Sequence, residues 1–590
     1  MAKALLSSWS CKPQNDPTTV YLHFSTSAVP SSGSARLRFI SIAGDYGQAL
    51  LASELLSEIV PLLECPTCQV IGYNLLVDLG VVRRIIGKRI RLTNIWDTML
   101  AMQLLNNGLS HKGLSLQSIC KDLLGWNFGD SPEASGRDDE PSAKEMDYAT
   151  RACAILERIQ ARQLALLKMN GLEKVAQIEF RALPALLEIE YNGIGFNADK
   201  GLRFLEDLIK EKNQMERELQ QNAESMKMRR FNPRNPVQVK MVLQGFGYDI
   251  ESTSAAVLER ILFERPDEPF IKSLLKYREL RQQIGFLKSW MDSARDDRIY
   301  PKLAQLGGRS GRITCSRPNI QQIPRDPSLK SLFEASPGMS LVEADFSAIE
   351  MRIIATLSGD HAMQKIFKKG LDPHKQTAQA IFQKTKISDH ERQIAKTLNY
   401  GTIYGGGVNM ILSNLPNLTE GEAREFLHRF YAAYPGLKSW QQMVSEGARL
   451  ISIDRETYKI SRSALGRIRY IDPRQRNALI NTPVQATGAD LQKTALGRLY
   501  EKLALPEYSD FRLINAVHDS ILLEVPEKRT KEASKLLKKV MEEAGSEILK
   551  VIPCLTDVKV GKDLSFNESG IRSGLGGIFF RAISRMKRIF

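Results

Sequence analysis

The sequence predicts a multi-domain α/β protein, and three observations support this. The chain has 590 residues, more than one compact domain usually holds, and 43% of them are hydrophobic. Strand-like and helical segments alternate over residues 1–165, whereas long helical patterns dominate residues 174–290. Residues 300–565 return to a mixture of strands and helices, so at least two folded units are expected.

The first unit is built from short apolar segments separated by turns. Residues 37–51 predict a strand and hairpin, residues 68–86 a strand, turn and helix, and residues 97–107 an amphipathic helix. Residues 129–145 are acidic and rich in Pro, Gly and Ser, which predicts a long mobile loop.

Two later segments have charge patterns of their own. Residues 202–230 are charge-laced and amphipathic, which predicts either a solvated coiled-coil-like helix pair or a helical arm. Residues 566–590 form a basic tail with apolar residues at helical spacing. This tail could contact a protein partner, DNA or a membrane surface, although a frayed terminal helix is favoured.

The overall charge favours a polyanionic partner. The chain has 82 Lys and Arg against 67 Asp and Glu, a formal charge of +15. Nucleic acid is the first candidate, and a merely basic soluble protein is the alternative. No apolar stretch approaches the length of a membrane span, so no span is expected.

Two aspartates interrupt or end apolar runs. Asp345 ends a short strand-like segment with apolar residues Leu341, Val342 and Ala344, and Asp519 lies within INAVHDSILLEVP, residues 514–526. A lone aspartate in an apolar strand is costly, but two carboxylates that face one divalent metal are sensible. Because 519 − 345 = 174 residues separate them, their meeting is a hypothesis, and solvated strand-end aspartates are the alternative.

A helical stripe of cationic and aromatic residues begins near Ser388, which has capping-box spacing with Glu391. Its members recur every four residues over about 18 Å. They are Arg392, Lys396, Tyr400 and Tyr404. Cations near a helix N-terminus suit a triphosphate, and aromatics suit a base or sugar. An ordinary surface helix is the alternative.

Residues 307–325 are rich in Gly, Arg and Gln and have little apolar periodicity. Arg312, Asn319 and Gln322 offer donors for phosphates and for base edges in a groove. An ordinary polar loop is the alternative.

Together these stretches resemble the motifs of family A DNA polymerases, the DNA polymerase I group. DFSAIEMR is similar to motif A, DYSQIELR, and RQIAKTLNYGTIYG is similar to motif B. VHDS is similar to motif C, which usually reads VHDE. SGRITCSRPNIQQIPR and NTPVQATGADLQKTAL are similar to two further family segments. The resemblance covers about residues 174–565.

The resemblance implies a right-hand fold: a thumb over about 195–300, a palm over 301–357 and 470–565, and fingers over 358–469. It implies two Mg²⁺ ions, for which Mn²⁺ can substitute, held by Asp345, Asp519 and the Phe346 carbonyl. The implied dNTP-binding residues are Arg392, Lys396, Tyr400, His374, Glu350 and Tyr404, the last at the template-base pocket. The implied contacts to the primer–template groove are Arg312, Gln485 and His518.

Three positions need separate comment. Ser347 and Glu350 have capping-box spacing, while the resemblance makes Glu350 the gate against a ribose 2′-OH, and both can hold. Tyr400 stands where Phe is commoner, which implies ready acceptance of dideoxynucleotides. Ser520 stands where Glu is usual, and Glu524 is about 13 Å further along an extended strand, so looser metal binding or an altered metal preference is expected.

Residues 1–165 resemble the family's 3′–5′ exonuclease domain, of RNase H-like fold. Asp78 matches its second motif, but VYLHFSTSAVP has no acid where the first motif belongs, and Ala152 replaces the acid of the third. An inactive nuclease is therefore expected, because the chemistry needs carboxylates around two metals. The rival is substitution by Asp130, Asp138 or Asp139, which is disfavoured because a mobile loop positions ligands poorly.

The expected function is template-directed DNA synthesis from dNTPs without proofreading, in replication or repair. A monomer is expected, in a bacterial cytoplasm near the nucleoid or as a phage- or plasmid-encoded protein, with an organellar location as a further option. The alternatives are a non-catalytic DNA-binding protein and a nuclease.

Overall fold

The computed structural model describes residues 18–28, 35–44, 47–109, 111–129, 142–415 and 418–566. The mobile-loop prediction for residues 129–145, with Asp130, Asp138 and Asp139, falls mostly outside these ranges, as does the tail beyond residue 566. Within the described ranges, no helix is both long enough and apolar enough to cross a bilayer.

The N-terminal part is a five-stranded sheet with helices packed against it. The strand order is β3-β2-β1-β4-β5, and β1 pairs antiparallel with β2 but parallel with β4. The strands are β1 (Thr18–Ala28), β2 (Ala35–Gly44), β3 (Gly47–Ala52), β4 (Cys68–Gly72) and β5 (Ile95–Asp97). The helices are α1 (Leu56–Glu64), α2 (Leu75–Ile86), α3 (Thr98–Leu105), α4 (Leu116–Leu124) and α5 (Ala143–Met169). The predicted alternation of strands and helices is confirmed.

A long helical hairpin follows helix α6 (Glu173–Asn192). Its two arms, α7 (Ala198–Ser225) and α10 (Pro269–Ser293), pack along each other, so the coiled-coil-like pair is confirmed. Helices α8 (Pro236–Gly245) and α9 (Ala255–Glu264) cover its far end, which has a separate small apolar core. Short strands β6 (Ile194–Gly195), β7 (Ala294–Arg295) and β8 (Arg298–Ile299) close its base.

A four-stranded antiparallel sheet, which we call the palm sheet, forms the centre of the second half. Its order is β15-β16-β11-β17, from strands β11 (Met339–Phe346), β15 (Arg512–Val517), β16 (Ser520–Pro526) and β17 (Thr556–Gly561). Helices α19 (Arg476–Leu503) and α20 (Thr530–Leu549) pack together behind it. Strands β9 (Lys302–Ala304) and β10 (Thr314–Ser316) and helix α11 (Pro327–Lys330) precede it.

A helical segment lies in the chain between β11 and the other three strands of the palm sheet. It comprises α12 (Ile349–Ser358), α13 (His361–Lys368), α14 (Pro373–Phe382), α15 (Asp389–Ile403), α16 (Val408–Asn414), α17 (Glu420–Ala433) and α18 (Pro435–Glu446). A small sheet of β12 (Leu450–Ile453), β13 (Glu456–Arg462) and β14 (Ile468–Ile471) leads back to α19. Helix α15 begins at a complete Ser388–Glu391 capping box, as the sequence predicts.

Buried ion pairs attach the N-terminal sheet domain to the rest. Glu188 accepts from Arg83 at 2.9 Å and from Arg89 at 3.1 Å, and Arg89 also donates to the Phe511 carbonyl at 2.8 Å. At Gly108, φ is +103° and an added Cβ would lie 2.2 Å from the Tyr470 carbonyl oxygen. The contact therefore requires glycine at this position.

Candidate functional site

The polar residues of VHDS lie at a tight turn. Val517 pairs with Ser520 across β15 and β16, which leaves His518 and Asp519 as the two turn residues. His518 has φ of 53°, the left-handed conformation that such a turn demands. The apolar run is therefore a hairpin, and the desolvation cost of polar residues inside a core strand does not arise.

Strand β11 brings Asp345 to this turn. Asp345 pairs with Ser520 of the neighbouring strand, and the Phe346 amide donates to the Asp519 carbonyl at 3.2 Å. Facing residues on adjacent antiparallel strands have Cβ atoms about 5 Å apart. Asp345 is exposed and Asp519 half-buried, so both carboxylates lie at the same end of the palm sheet and can be reached from solution.

These two carboxylates fit a magnesium site. Mg²⁺ is commonly held by one or two protein carboxylates together with substrate phosphates and water. Among the described residues, no group of three or more His, Cys, Asp or Glu side chains could hold a metal. The acidic residues at this sheet end therefore suit an ion that takes its remaining ligands from a phosphate-bearing substrate.

Glu524 lies away from the turn, as the sequence predicts. The Ser520 hydroxyl donates to the Val517 carbonyl at 3.2 Å, inside the turn. Glu524 is fully buried, accepts from Arg298 at 3.0 Å and from the Ser336 amide at 2.7 Å, and so cannot reach the turn. No carboxylate of strand β16 replaces the glutamate that usually follows the motif C aspartate.

The capping-box prediction for Glu350 is wrong. Helix α12 begins at Ile349, and Ala348, with φ of 51°, occupies the N-cap position without a side-chain cap. The left-handed backbone at Ala348 turns the chain from strand to helix, so Ser347 does not occupy the N-cap position. Glu350 instead accepts from Arg312 at 2.9 Å and is 7% exposed.

The C-terminal part of α15 lies near the carboxylates of Glu350, Asp519 and Asp345. Burial raises the pKa of Tyr400, and the negative charges of Glu350, Asp519 and Asp345 raise it further. The pKa of Tyr404 is also raised, first by burial and then by Glu350. The predicted stripe therefore ends in two tyrosines beside the acids, with Tyr404 at the first position after the helix.

The other end of the stripe carries the cations. Arg392 donates to Asp372 at 2.7 Å, and the His374 and Tyr400 rings are 5.8 Å apart between centroids. Arg392 and Tyr400 are eight residues apart, about 12 Å along the helix. Lys396 lies between them, so the stripe spans the length of a nucleoside triphosphate.

His374 is neutral and oriented. Burial lowers the pKa of His374 to about 4, and the nearby charge of Lys396 acts in the same direction. Its Nδ1 accepts from the Asn399 amide at 2.9 Å, while the Asn399 oxygen accepts from the Thr377 hydroxyl at 3.0 Å. This chain of bonds places the imidazole proton on Nε2.

The loop residues predicted to touch DNA differ in their surroundings. Asn319 accepts from the Gln321 amide at 3.0 Å and so caps a short 3₁₀ turn, whereas Gln322 is exposed. Gln321 ties this loop to the hairpin through the Ala516 carbonyl at 2.9 Å. Gln485 lies in α19 and is 6% exposed, and His518 is exposed at the hairpin turn.

Sequence reasoning missed several supporting residues. Asp372 both caps α14, accepting from the His374 amide at 2.8 Å, and holds Arg392. Its position before Pro373 is a recognisable N-cap signal. Asn399 and Gln321 carry no comparable local signal, because their partners are distant in the chain.

In the described part of the N-terminal domain, the positions that match the first and third exonuclease motifs carry no acid. Strand β1 has none, and Ala152 is fully buried on α5. Burial and the neighbouring charge of Asp97 raise the pKa of Asp78 well above its usual value. Asp97 itself caps α3, accepting from the Met99 amide at 2.8 Å. A raised pKa disfavours the charged carboxylate that a metal ligand requires.

Comparisons with known proteins agree with this architecture. A family model described as DNA polymerase family A matches residues 202–565, and one described as 3'-5' exonuclease matches residues 25–162. DNA polymerase I of Aquifex aeolicus is 28% identical over 551 residues, which cover 88% of this chain and 92% of that protein. The thermostable DNA polymerase I of Thermus aquaticus is 34% identical over 330 residues, covering 53% of this chain and 38% of that protein.

A solved structure shows the same fold. The POL domain of Pol1 from M. smegmatis, in complex with DNA primer-template and dNTP, has a TM-score of 0.79 and 20% identity, covering 96% of this chain and 98% of that one. The predicted fold class, an exonuclease-type domain followed by a right-hand polymerase domain, is confirmed. Since its family model spans more than half of the chain, the protein belongs to DNA polymerase family A, the DNA-directed DNA polymerases.

Proposed function

We propose that the chain extends a primer 3′-OH on a DNA template by a two-metal-ion mechanism and does not proofread. The observation that supports this most strongly is the strand register that sets Asp345 beside the hairpin turn of Asp519, close enough to Tyr400 for both charges to raise its pKa. Bound divalent ions would activate the primer hydroxyl and stabilise the pyrophosphate that leaves.

The residues of the chain then have separate tasks. Asp345, Asp519 and the Phe346 carbonyl would hold the ions, with Mg²⁺ as the natural ion and Mn²⁺ as a substitute. Arg392 and Lys396 bind the triphosphate, and Arg392 exchanges Asp372 for a phosphate oxygen. The neutral His374 donates its Nε2 proton to the same phosphates.

Glu350 and the tyrosines shape the sugar and base pockets. The Arg312 ion pair holds Glu350 in one position, where it closes the space a ribose 2′-OH would need. Tyr400 stacks on the incoming nucleotide, and Tyr404 guards the template-base pocket. On this proposal the thumb covers about residues 195–300, the palm residues 301–357 and 470–565, and the fingers residues 358–469.

The cellular setting is part of the proposal. Primer–template DNA and dNTPs are the partners, with the basic tail available to a further protein. The relatives named above are DNA polymerases I of bacteria, which supports a role in replication or repair. A monomer in a bacterial cytoplasm completes the proposal.

An end-labelled primer–template incubated with Mg²⁺, with and without dNTPs, tests this function. Extension with dNTPs and an unchanged primer without them is the expected result. Shortening of the primer would identify an active nuclease, and DNA binding without either change would identify a non-catalytic DNA-binding protein. Either of those results contradicts the proposal.

Tyr400→Phe should reduce the incorporation of dideoxynucleotides relative to dNTPs. The tyrosine hydroxyl is a polar group beside the incoming sugar, and the value of one hydrogen bond corresponds to a change of about tenfold. Competition between a dideoxynucleotide and its dNTP in primer extension measures the ratio. Equal ratios for both proteins would show that this hydroxyl plays no part in sugar selection.

Ser520→Glu should tighten metal binding. The position pairs with Asp345, so a glutamate would add a carboxylate to the same sheet end. The Mg²⁺ concentration for half-maximal extension should fall several-fold, and Mn²⁺ affinity measured by electron paramagnetic resonance should rise. Ser520→Gln, which adds the same bulk without charge, is the matched control. An unchanged Mg²⁺ dependence would show that Ser520 hardly matters.

A further inference from the structure

The C-terminal end of α15 is buried, and its carbonyl groups need partners. The carbonyls in the last turn of an α-helix find no partner inside the helix. Thr402 and Ile403, the last two residues of α15, are both 0% exposed, so bulk water does not supply the missing donors. Buried backbone carbonyls are nearly always paired, and a donor from elsewhere in the fold is therefore required at this end.

Gln441, a buried residue of α18, supplies that donor. Its Nε2 donates to the Thr402 carbonyl at 2.8 Å and to the Ile403 carbonyl at 3.1 Å. Its Oε1 accepts from the Tyr431 hydroxyl at 2.8 Å. The reverse orientation of the amide would set its oxygen against two carbonyl oxygens, so the side chain has a single orientation.

Tyr431 and Met410 complete the support of this end. Burial raises the pKa of Tyr431, on α17, which keeps its phenol a neutral donor to Gln441. Met410, on α16, fills the space beside Gly401, where an added Cβ would lie 2.3 Å from the Met410 Sδ. Side chains of α16, α17 and α18 therefore hold the last turn of α15 in place.

The two ends of α15 are held differently. The first turn is mostly exposed and depends on its own capping box of Ser388 and Glu391. The last turn depends on bonds from other helices, and Tyr404, which is 2% exposed, follows it directly. Because the Ile403 carbonyl belongs to the planar peptide that joins Ile403 to Tyr404, its bond to Gln441 fixes the plane from which the Tyr404 side chain projects.

We propose that Gln441 is a positioning residue for base selection, because its bonds to the last two carbonyls of α15 fix Tyr404 at the template-base pocket. The inference rests on the proposed function, which assigns that pocket to Tyr404. Gln441 acts through the backbone of α15. A displacement of about 1 Å at a reacting site can change a rate about 100-fold, so loss of the two bonds should alter which nucleotides are accepted.

Gln441→Met tests the proposal, since methionine has a similar length and no amide. The measured quantity is the ratio of kcat/KM for the correct dNTP to kcat/KM for a mismatched dNTP, in single-nucleotide extension with Mg²⁺. We expect this ratio to fall about tenfold, the value of one hydrogen bond, with unchanged primer–template affinity. A residue that only supports the fold would reduce the amount of active enzyme, which lowers both rates alike and leaves the ratio unchanged.

Matched variants complete the design. Gln442→Met makes the same change at the next position of α18, where the side chain is exposed, and should leave the ratio unchanged. Tyr431→Phe keeps the ring and removes only the bond to Gln441 Oε1, so the ratio should fall by about threefold. The double variant Gln441→Met/Tyr431→Phe should resemble Gln441→Met, because both changes break one chain of bonds.

The outcomes separate the role of Gln441 from the enzyme activity. A wild-type ratio for Gln441→Met, or an equal loss for Gln442→Met, overturns the positioning role. If Gln441→Met does not fold, Tyr431→Phe decides, and a wild-type ratio for that variant overturns the role.

If the wild type extends no primer, the proposed function fails, and the fluorescence of 2-aminopurine at the templating position decides on Gln441. This signal needs no nucleotide addition. A signal that Gln441→Met changes and Gln442→Met does not supports the positioning role, whereas equal signals for the wild type and Gln441→Met overturn it.

Discussion

Asp519→Ala should reduce primer extension at least about 1,000-fold, which corresponds to about 4 kcal/mol of transition-state stabilisation. The reason lies in the hairpin turn, where Asp519 directly precedes Ser520, the residue that pairs with Asp345 across the sheet. Ser520 supplies no charge, and Asp557, which pairs with Asp345 from β17, lies on the side of β11 away from the hairpin and is therefore poorly placed to replace Asp519. Asp345→Ala should be equally severe, and the double variant should lose little more, because the two groups act as a unit.

Two measurements make this prediction specific. Primer–template affinity should stay within about threefold of the wild type, because the variant removes negative charge near DNA and no cationic contact. Mn²⁺ binding should weaken in parallel with extension. Asp510→Ala, at an exposed aspartate just before β15 that pairs with Arg529, is the matched control and should retain full activity. Extension by Asp519→Ala within tenfold of the wild type would refute the metal assignment.

Local features of the sequence predicted most of the elements. The Ser388–Glu391 capping box, the charge-laced helical hairpin and the apolar runs of the palm sheet depend on residues close together in the chain. Such features report on the structure directly, because the interactions that form them need no distant partner.

Features that depend on tertiary contacts were harder to predict. The left-handed backbone at Ala348 redirected Glu350 from a cap to Arg312, and nothing in the spacing of Ser347 and Glu350 announces this. The meeting of Asp345 and Asp519 depends on the register of two strands far apart in sequence. The motif resemblance suggested that pairing, whereas periodicity alone left it open.

The largest stability effect should come from a buried charge network that no sequence pattern revealed. Lys493 donates to both Glu179 oxygens at 2.7 and 2.9 Å, and Arg467 bonds Glu179 and Asp490. All four side chains are at most 1% exposed. Burial alone would raise the pKa of Glu179, but Lys493 and Arg467 hold it below its usual value. Two cations therefore balance two anions in the core.

Lys493→Met should lower the free energy of unfolding by about 3–5 kcal/mol, because it leaves an uncompensated negative charge in the core. The apparent midpoint of thermal unfolding, followed by circular dichroism, should fall by several degrees. Lys502→Met makes the same change at an exposed position near the end of the same helix and should cost less than about 0.5 kcal/mol.

The double variant Glu179→Gln/Lys493→Met distinguishes charge imbalance from lost packing. It restores neutrality, so most of the lost stability should return, whereas a loss as large as that of Lys493→Met alone would contradict the electrostatic explanation. Lys493 also donates to the Gly311 carbonyl at 2.7 Å, beside Arg312. The double variant lacks this bond, so the loop that contains Gly311 and Arg312 should shift. We therefore expect it to regain stability while binding primer–template more weakly than the wild type, which links the buried network to the DNA-binding surface.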